Sequence, residues 1–211
     1  MHREQVTSPE KPKGEKPKIP DKLKNRLYPV VLEIFSYNDF HQVKIRVISE
    51  KSGVSVGTIY KYFSSKENLL FYVLEEKIKN IYELIRIHIQ GLESTKEIFR
   101  KILWVTMDYY DKNPGVAITA FITVPTRTWM QQESFRGLPL IRIFIEFLDK
   151  ARKRGDIDPL IDIRLFQDIY YMICYRITHK WYYFGMKWKL VDPIRNDFHL
   201  FWKLIAKPSK N

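Results

Sequence analysis

The sequence contains little of what membrane proteins, disulfide-stabilised domains and many enzymes require. A single cysteine, Cys174, among 211 residues excludes an intrachain disulfide and is typical of a protein of the reducing cytoplasm. Only 8 glycines are present, and they form neither a phosphate-binding loop nor a Gly-x-Ser-x-Gly nucleophile elbow. No apolar run reaches the ~18 residues of a spanning helix, and the charged N-terminus is unlike a secretory signal.

Candidate catalytic and metal-binding groups are equally sparse. Cys174 and His179 are five residues apart on an apolar segment, a spacing that does not turn two helical side chains toward each other. A core thiol and a polar residue near a pocket or interface fit this pair better than a nucleophile and its base. We therefore expect no enzyme activity, no metal and no cofactor. The five histidines are scattered, at His2, His41, His88, His179 and His199.

The charge of the chain is strongly positive. The formal net charge is +12, and residues 1–66 carry 13 Lys and Arg against 7 Asp and Glu, a net of +6. Such an excess favours an anionic partner, although a merely soluble basic surface would have the same composition. Residues 1–20 hold four prolines, alternate Lys with Glu and contain almost no apolar residues, so we expect a disordered basic arm. Its lysines either contact phosphates or form a plain solvated tail.

Apolar residues recur at helical spacing through the rest of the chain, which predicts an all-α fold. Pro29 interrupts the first segment, so the regular helix either starts near residues 25–28 or is kinked at the proline. Residues 116–124 form an apolar run whose periodicity does not separate a short helix from a strand. We predict helices within residues 21–37, 66–90, 94–111, 138–154, 158–188 and 192–206, with the polar segment 126–137 less clearly helical.

Four local patterns predict where helices begin. Ser64 with Glu67, and Ser94 with Glu97, have the spacing of capping boxes. The Asp158-Pro159 and Asp192-Pro193 steps would each place a capping carboxylate before a proline at the first helical position.

Residues 43–70, VKIRVISEKSGVSVGTIYKYFSSKENLL, have the pattern of a helix-turn-helix. Gly53 supplies the positive φ of a tight turn between two short helices, and Ser55 can cap the second of them. Small residues in its first turn would let this helix enter a DNA major groove. Lys66, at the start of the next helix, is expected to hold a phosphate. The predicted DNA-binding residues are Lys44, Ser55, Val56, Gly57, Thr58, Tyr60, Lys61, Tyr62 and Lys66.

The same stretch resembles the N-terminal signature of the tetracycline-repressor (TetR) family. The resemblance rests on Gly53-Val54-Ser55, on residues 57–63 (GTIYKYF) and on residues 65–70 (SKENLL), a dense set of matches over about thirty residues. It implies an all-helical homodimeric transcriptional regulator, a repressor whose larger domain binds a small molecule and thereby releases a palindromic operator. The family's helix order also implies that residues 116–124 form a buried short helix.

This resemblance implies three segments: the arm at residues 1–20, a helix-turn-helix DNA-binding domain at 21–66, and a ligand-binding and dimerisation domain at 67–211. The penultimate helix is apolar or aromatic nearly all round, so a second subunit is its expected cover, with the last helix completing a four-helix seam. A monomer that keeps both helices internal is the alternative.

A hydrophobic or flat aromatic effector is expected, because the helices of the larger domain are rich in aromatic residues. Core packing is the alternative role for each of them. Arg127, Arg142 and Arg176 would suit an acidic headgroup such as that of a fatty acid or acyl thioester. The candidate ligand-binding residues are Trp104, Met107, Tyr110, Phe121, Trp129, Phe144, Phe147, Tyr171, Tyr175 and His179, with Met130 and Met172 beside them.

Two other functions are compatible with parts of this pattern. A helical small-molecule-binding adaptor would use the helix-turn-helix for protein contacts. That function predicts a neutral or acidic N-terminal region, whereas this N-terminal region is basic. An effector-independent DNA-binding protein would have a solid C-terminal core.

Overall fold

The computed structural model describes residues 19–130 and 139–208. Within these ranges the regular secondary structure is helical, connected by turns and loops, apart from one antiparallel bridge between Ile157 and Ala206. The predicted arm, up to residue 18, and part of the segment 126–137 lie outside the described residues. The helices are α1 (Asp21–Tyr37), α2 (Ile45–Ser52), α3 (Val56–Tyr62), α4 (Lys66–His88), α5 (Thr95–Lys112), α6 (Pro114–Ile118), a π-helix (Thr119–Thr123), α7 (Thr126–Met130), α8 (Pro139–Arg154), α9 (Ile163–Tyr183) and α10 (Ile194–Ile205).

Helix α1 runs continuously through Pro29, so the alternative of a late start is wrong. Proline lacks the N–H that would bond back one turn, and an interior position is costly for that reason. Here Pro29 lies on the exposed side of α1, while Leu27, Val31 and Phe35 are fully buried on the other side. Burial of that face offsets the lost hydrogen bond.

Helices α2 and α3 form the predicted helix-turn-helix. Gly53 ends α2 in the left-handed conformation with φ 64°, and the Ser55 hydroxyl accepts a hydrogen bond from the Thr58 N–H at 3.1 Å. Ile48 on α2 and Ile59 on α3 lie on the buried sides of their helices and are completely shielded from solvent. The turn and the cap therefore set the angle at which α3 leaves α2.

Helix α4 begins at the predicted Lys66, but Ser64 is not its cap. Ser65 is the residue directly before the first helical position, and its hydroxyl accepts a hydrogen bond from the Asn68 N–H at 3.1 Å. The capping residue must have extended backbone next to the first turn, and Ser65 meets that requirement. The second capping prediction is confirmed, since the Ser94 hydroxyl accepts from the Glu97 N–H.

Both Asp-Pro predictions are wrong. Helix α9 starts four residues after Pro159, where the Asp162 carboxylate accepts a hydrogen bond from the Leu165 N–H at 2.8 Å. The Asp158 carboxylate instead accepts from the Leu160 N–H inside the preceding turn. The Asp192 carboxylate likewise accepts from the Lys189 N–H, so it closes a turn before α10.

The remaining helices build the larger domain around an aromatic core. Residues 116–124 are helical, as the family order implied, with α6 continuing into the π-helix. The helical spacing of α8 predicts burial of Ile145, but Ile145 is exposed and Ile143 is buried instead. Five aromatic rings from α5, α8, α9 and α10 pack together with centroid separations of 4.7 to 6.5 Å. They belong to Phe99, Phe144, Phe166, Tyr170 and Phe201.

Across residues 19–130 and 139–208, no helix combines the length and the apolar character needed to cross a membrane.

The turn at Gly53 generates the first testable prediction. The backbone of Gly53 is left-handed, a conformation that is unfavourable for a residue with a Cβ. An added Cβ would also lie 2.5 Å from Nη2 of Arg26. We expect Gly53→Ala to lower the free energy of unfolding by about 1–2 kcal/mol from the backbone alone, as measured by urea denaturation. Gly57→Ala is the matched control, because nothing lies within 4 Å of its Cβ. A Gly53→Ala variant as stable as Gly57→Ala would contradict this account of the turn.

Candidate functional site

The α3 helix has one buried residue, Ile59, and turns its other faces outward. Tyr60 is 53% exposed and Val56 is 37% exposed, both high values for large apolar side chains. Gly57 has open space on its outer side. We call the outward residues the reading surface; it comprises the exposed Lys44, Ser55, Val56, Gly57, Tyr60 and Lys61 and the half-buried Thr58. Tyr62, the other predicted contact residue of α3, is half-buried at its edge.

An arginine that the sequence analysis did not single out holds the turn behind the reading surface. Nη2 of Arg26, on α1, donates to the carbonyls of Ser52 at 3.2 Å and Gly53 at 2.6 Å. These are the carbonyls that end α2, which lack partners within the helix. An ion pair between Lys51 and Glu33 adds a second link from α2 to α1. Neither link has a sequence signature, because the partners are far apart along the chain.

The side chain of Lys66, predicted to hold a phosphate, is bonded to the backbone of its own chain. Its ammonium donates to the carbonyls of Phe40 at 2.9 Å, His41 at 3.0 Å and Val43 at 3.0 Å. An ammonium has three N–H donors, so these three carbonyls engage all of them. In this arrangement the side chain points into the loop between α1 and α2 rather than toward a phosphate.

The first three turns of α4 pack against the head formed by α1, α2 and α3. The ring of Tyr72 meets Phe63 at 5.5 Å and Tyr28 at 6.4 Å. Glu76 forms an ion pair with Lys24, and the hydrogen bond to Glu76 raises the pKa of Lys24, with burial opposing it. From residue 75 to residue 80 no side chain of α4 is fully buried. This stretch lies between two buried parts of α4, one at residues 69–74 and the other beginning at Ile81.

Five of the ten candidate ligand-binding residues lie side by side. Their rings follow one another with centroid separations of 5.5, 5.6, 6.2 and 3.8 Å. The inner end is buried and the outer rings are exposed, so the row leads from the core to the surface. We call this row the aromatic ladder; in order it comprises Tyr110, Phe121, Tyr171, Tyr175 and His179.

The histidine of the ladder ties α9 to the π-helix. Nε2 of His179 lies 2.8 Å from the carbonyl oxygen of Phe121, and its ring stacks on Tyr175. Cys174 is buried one turn away, and burial raises the pKa of its thiol to about 12. The thiol is thus protonated at neutral pH, and His179 is committed to Phe121, so the two do not form a nucleophile and base.

The other five candidates do not join the ladder. Met107 is fully buried, and Phe144 belongs to the aromatic core between Phe166 and Tyr170. The remaining three lie at separate places. Trp104 lies under Lys101 beside a groove between α5 and α10. Phe147 lines a cavity of about 110 Å³, and the ring of Trp129 packs against that of Phe71 with centroids 5.0 Å apart.

Three buried threonine hydroxyls without a hydrogen-bond partner in the described protein lie on the two helices that carry most of the ladder. Thr119 and Thr123 lie at either end of the π-helix, and Thr178 precedes His179 on α9. Thr119 and Thr178 have no solvent exposure. A buried hydroxyl without a partner costs free energy, and π-helices occur frequently at functional sites. Sequence analysis missed these residues because threonine in a helix carries no signal of its own.

Two exposed apolar stripes adjoin on α9 and α10. On α9 the stripe contains Leu165 and Met172, which share a face with Arg176; on α10 it contains Leu200 and Leu204. Asp197 shares the face of Leu200. Burial raises the pKa of the Asp197 carboxyl group, and the positive charges of Lys180 and Arg176 on α9 partly oppose this shift. Helices α9 and α10 pack against each other, so the two stripes lie on neighbouring helices. The apolar residues of the last helix predicted for the seam are Ile194, Phe198, Phe201, Trp202, Leu204 and Ile205. Four of these six, Ile194, Phe198, Phe201 and Ile205, are instead buried within the subunit.

Within residues 19–130 and 139–208, no group of three His, Cys, Asp or Glu side chains is arranged to bind a metal ion. Arg127 and Arg176, proposed for an acidic headgroup, are exposed. The side chains of Arg142 and Met130 lie outside the described part of the structure.

Together, the short outward-facing α3, the Gly53 turn and the all-helical larger domain define a helix-turn-helix DNA-binding transcriptional regulator. Residues 31–73 match the family model described as bacterial regulatory proteins, tetR family. The matched residues run from the second half of α1 through α2 and α3 into the start of α4.

Among curated proteins, the chain is 24% identical to the fatty acid metabolism regulator protein of Bacillus subtilis (strain 168) over 165 residues, which cover 76% of this chain and 84% of that protein. Among solved structures, it resembles the fatty acid degradation regulator FadR from Bacillus halodurans with a TM-score of 0.77 at 19% identity, covering 88% of this chain and 97% of the other. It also resembles FadR from Bacillus subtilis in complex with stearoyl-CoA, with a TM-score of 0.72 at 20% identity, covering 84% and 96%. At these identities the structural likeness establishes the fold alone.

Proposed function

We propose that the protein is a repressor that binds a palindromic operator as a homodimer and releases it when an acyl thioester binds the larger domain. The observation that carries the DNA-binding part is the reading surface. A helix of 7 residues with one buried side chain contributes little to the core, and its exposed tyrosine, hydroxyls and lysine suit base edges and phosphates. Lys44 and Lys61 are the exposed lysines beside it.

A homodimer is supported by the stripes on α9 and α10. Four large apolar side chains, Leu165, Met172, Leu200 and Leu204, are between 42% and 56% exposed in a single chain. An apolar patch of this kind marks an interaction site. A second copy related by a two-fold axis would cover it and would present two reading surfaces to the two halves of a palindrome.

The aromatic ladder supports an elongated effector with an apolar part. Its rings pass from buried Tyr110 to exposed Tyr171, so a chain-like molecule entering from the surface would meet aromatic walls along its length. The partnerless hydroxyls of Thr119 and Thr178 could bond to a carbonyl or amide group of such a molecule. FadR from Bacillus subtilis has been solved in complex with stearoyl-CoA. Long-chain acyl-CoA is therefore the effector class that we propose here.

Helix α4 offers the path from effector to operator. Its first three turns are packed under the head, and its last turns, around buried Ile81 and Ile85, belong to the larger domain. We propose that it bends within residues 75–80, where no side chain is fully buried. The functional boundary between head and larger domain then falls in this stretch rather than after residue 66. Release follows only if the effector favours a spacing of the two heads that the operator does not fit.

The DNA-binding proposal predicts two different effects from neighbouring residues of α3. Lys61→Gln should weaken binding to all sequences and lower the log–log salt slope by about 0.9 by removing one phosphate contact. Tyr60→Phe should change which operator is preferred, by about 1–3 kcal/mol at one base pair. Fluorescence anisotropy with duplexes from the region upstream of its own gene measures both. Lys153→Gln, an exposed lysine of α8, is the control; an equal effect from it would contradict the assignment.

The dimer proposal predicts that a carboxylate on the shared face separates the subunits. Met172→Glu and Leu200→Glu should each convert the protein from twice the chain mass to the chain mass in sedimentation analysis, because an unpaired charge would be buried in the interface. Leu160→Glu is the matched control, since Leu160 is 84% exposed in the turn before α9. A wild-type protein that sediments as a monomer would refute the proposal.

The effector proposal predicts that stearoyl-CoA raises the melting temperature of the free protein and lowers its affinity for the duplex, whereas CoA alone does neither. Thr178→Val should leave the unliganded protein as stable or more stable, by up to about 1–3 kcal/mol, because it removes a buried hydroxyl without a partner. The same variant should respond less to stearoyl-CoA.

Thr106→Val is the control for this substitution. The Thr106 hydroxyl bonds to the Ile102 carbonyl at 2.9 Å and lies 2.7 Å from the Tyr170 hydroxyl, so valine should destabilise the protein there. Operator binding that persists without any response to stearoyl-CoA would exclude this effector class and leave the DNA-binding proposal standing.

A further inference from the structure

The ammonium of Lys66 occupies a nearly ideal cation site made by the backbone of its own chain. The carbonyl oxygens of Phe40, His41 and Val43 lie 2.9, 3.0 and 3.0 Å from Nζ. The ring of Phe40 adds a cation–π contact at 5.3 Å. Three donors meet three acceptors, and each bond is strengthened by the charge.

The loop that offers these carbonyls is itself organised to present them. The Asp39 carboxylate accepts from the His41 N–H at 2.8 Å, and the Asp39 carbonyl accepts from the Gln42 N–H at 3.0 Å. Phe40 and Val43 anchor the two ends of the turn in the core, at 3% and 4% exposure. With its N–H groups and apolar side chains engaged in this way, the turn directs its carbonyls at Lys66.

The loop leads directly into the helix-turn-helix. Lys44, the residue after the last bonded carbonyl, is the N-cap residue of α2, and α2 carries α3 through the Gly53 turn. A bond from α4 to this loop therefore ties the first turn of α4 to the start of the DNA-reading element. Without it, the loop would retain three carbonyls that have lost a charged partner.

We propose that Lys66 is a positioning residue that clasps the loop between α1 and α2 to α4 and thereby sets the orientation of the reading surface, and that it does not contact the DNA backbone. A phosphate contact would require the ammonium to give up at least one of its carbonyls for a partner exposed to solvent and screened by salt. This proposal rests on the proposed DNA-binding function, but its structural half applies to the protein without DNA.

The choice of lysine is part of the argument. An ammonium is compact and directs three donors around one point, whereas a guanidinium is a planar fork that binds carboxylates and phosphates with two parallel bonds. Arginine would therefore fit the three converging carbonyls poorly, although it would hold a phosphate at least as well as lysine does. Lys66→Arg keeps the charge and separates the two roles.

The test compares Lys66→Arg, Lys66→Met and, as control, Lys61→Gln. Without DNA, we expect both Lys66 variants to lower the Tm by roughly 3–10 °C and to speed amide hydrogen exchange across residues 40–53, while Lys61→Gln does neither. With a duplex from upstream of its own gene, both should weaken binding while keeping the wild-type salt slope. Lys61→Gln should lower that slope by about 0.9.

Three results would overturn the clasp. One is a Lys66→Met variant with an unchanged Tm and a salt slope lowered by about 0.9, which is the signature of a lost phosphate contact. Another is a Lys66→Arg variant with wild-type Tm and affinity, which remains decisive if the methionine variant does not fold. The third is wild-type hydrogen exchange in both variants. If the wild-type protein bound no duplex, the DNA-binding proposal would fail, while the Tm and exchange data would still decide the clasp.

Discussion

Burial of one face of α4 against the head is the constraint on which the rest of this structure depends. Helices α1, α2 and α3 contain 17, 8 and 7 residues, and elements this short enclose too little apolar surface to be stable alone. The fully buried Leu69, Leu70, Val73 and Leu74 of α4 complete their core. The same helix continues into the larger domain, where Ile81 and Ile85 are buried. A head that needs α4 for its own stability cannot ignore a displacement of α4, and this makes coupling between the two parts physically reasonable.

The positive charge of the head is used in an unexpected way. Arg26 and Lys66 satisfy backbone carbonyls, and Lys24 and Lys51 pair with Glu76 and Glu33. These cations stabilise the Gly53 turn, the loop between α1 and α2, and the packing of α4 against the head. Net charge is still a reasonable guide to an anionic partner, since the field of a protein acts at a distance. It is a poor guide to which side chain touches that partner, because a cation that serves the fold is indistinguishable in the sequence from one that serves the ligand.

The larger domain divides its aromatic residues between two tasks. One group, around Phe166, fills the space between four helices, while the aromatic ladder runs outward between α5, the π-helix and α9. Residues of both groups alternate along the same helix: Tyr170 belongs to the core and Tyr171 to the ladder. A helix turns by 100° between neighbours, so adjacent aromatics serve different neighbours in space. The partnerless hydroxyls of Thr119, Thr123 and Thr178 lie on the π-helix and α9, the two helices that carry most of the ladder.

The sequence by itself determined the all-helical fold, the glycine-hinged reading element and the starting residues of α3, α4 and α5. These features follow from interactions within a few residues of one another: helical periodicity, a positive φ at Gly53 and the capping hydroxyls of Ser55 and Ser94. Only the tertiary structure decided the environment of Lys66, the grip of Arg26 on the turn, and which of the candidate aromatics lie together. Each of these arrangements includes contacts between distant parts of the chain: Lys66 and His41 are 25 residues apart, and His179 and Phe121 are 58 residues apart. These contacts depend on how whole helices pack against one another, and local sequence patterns do not predict that packing.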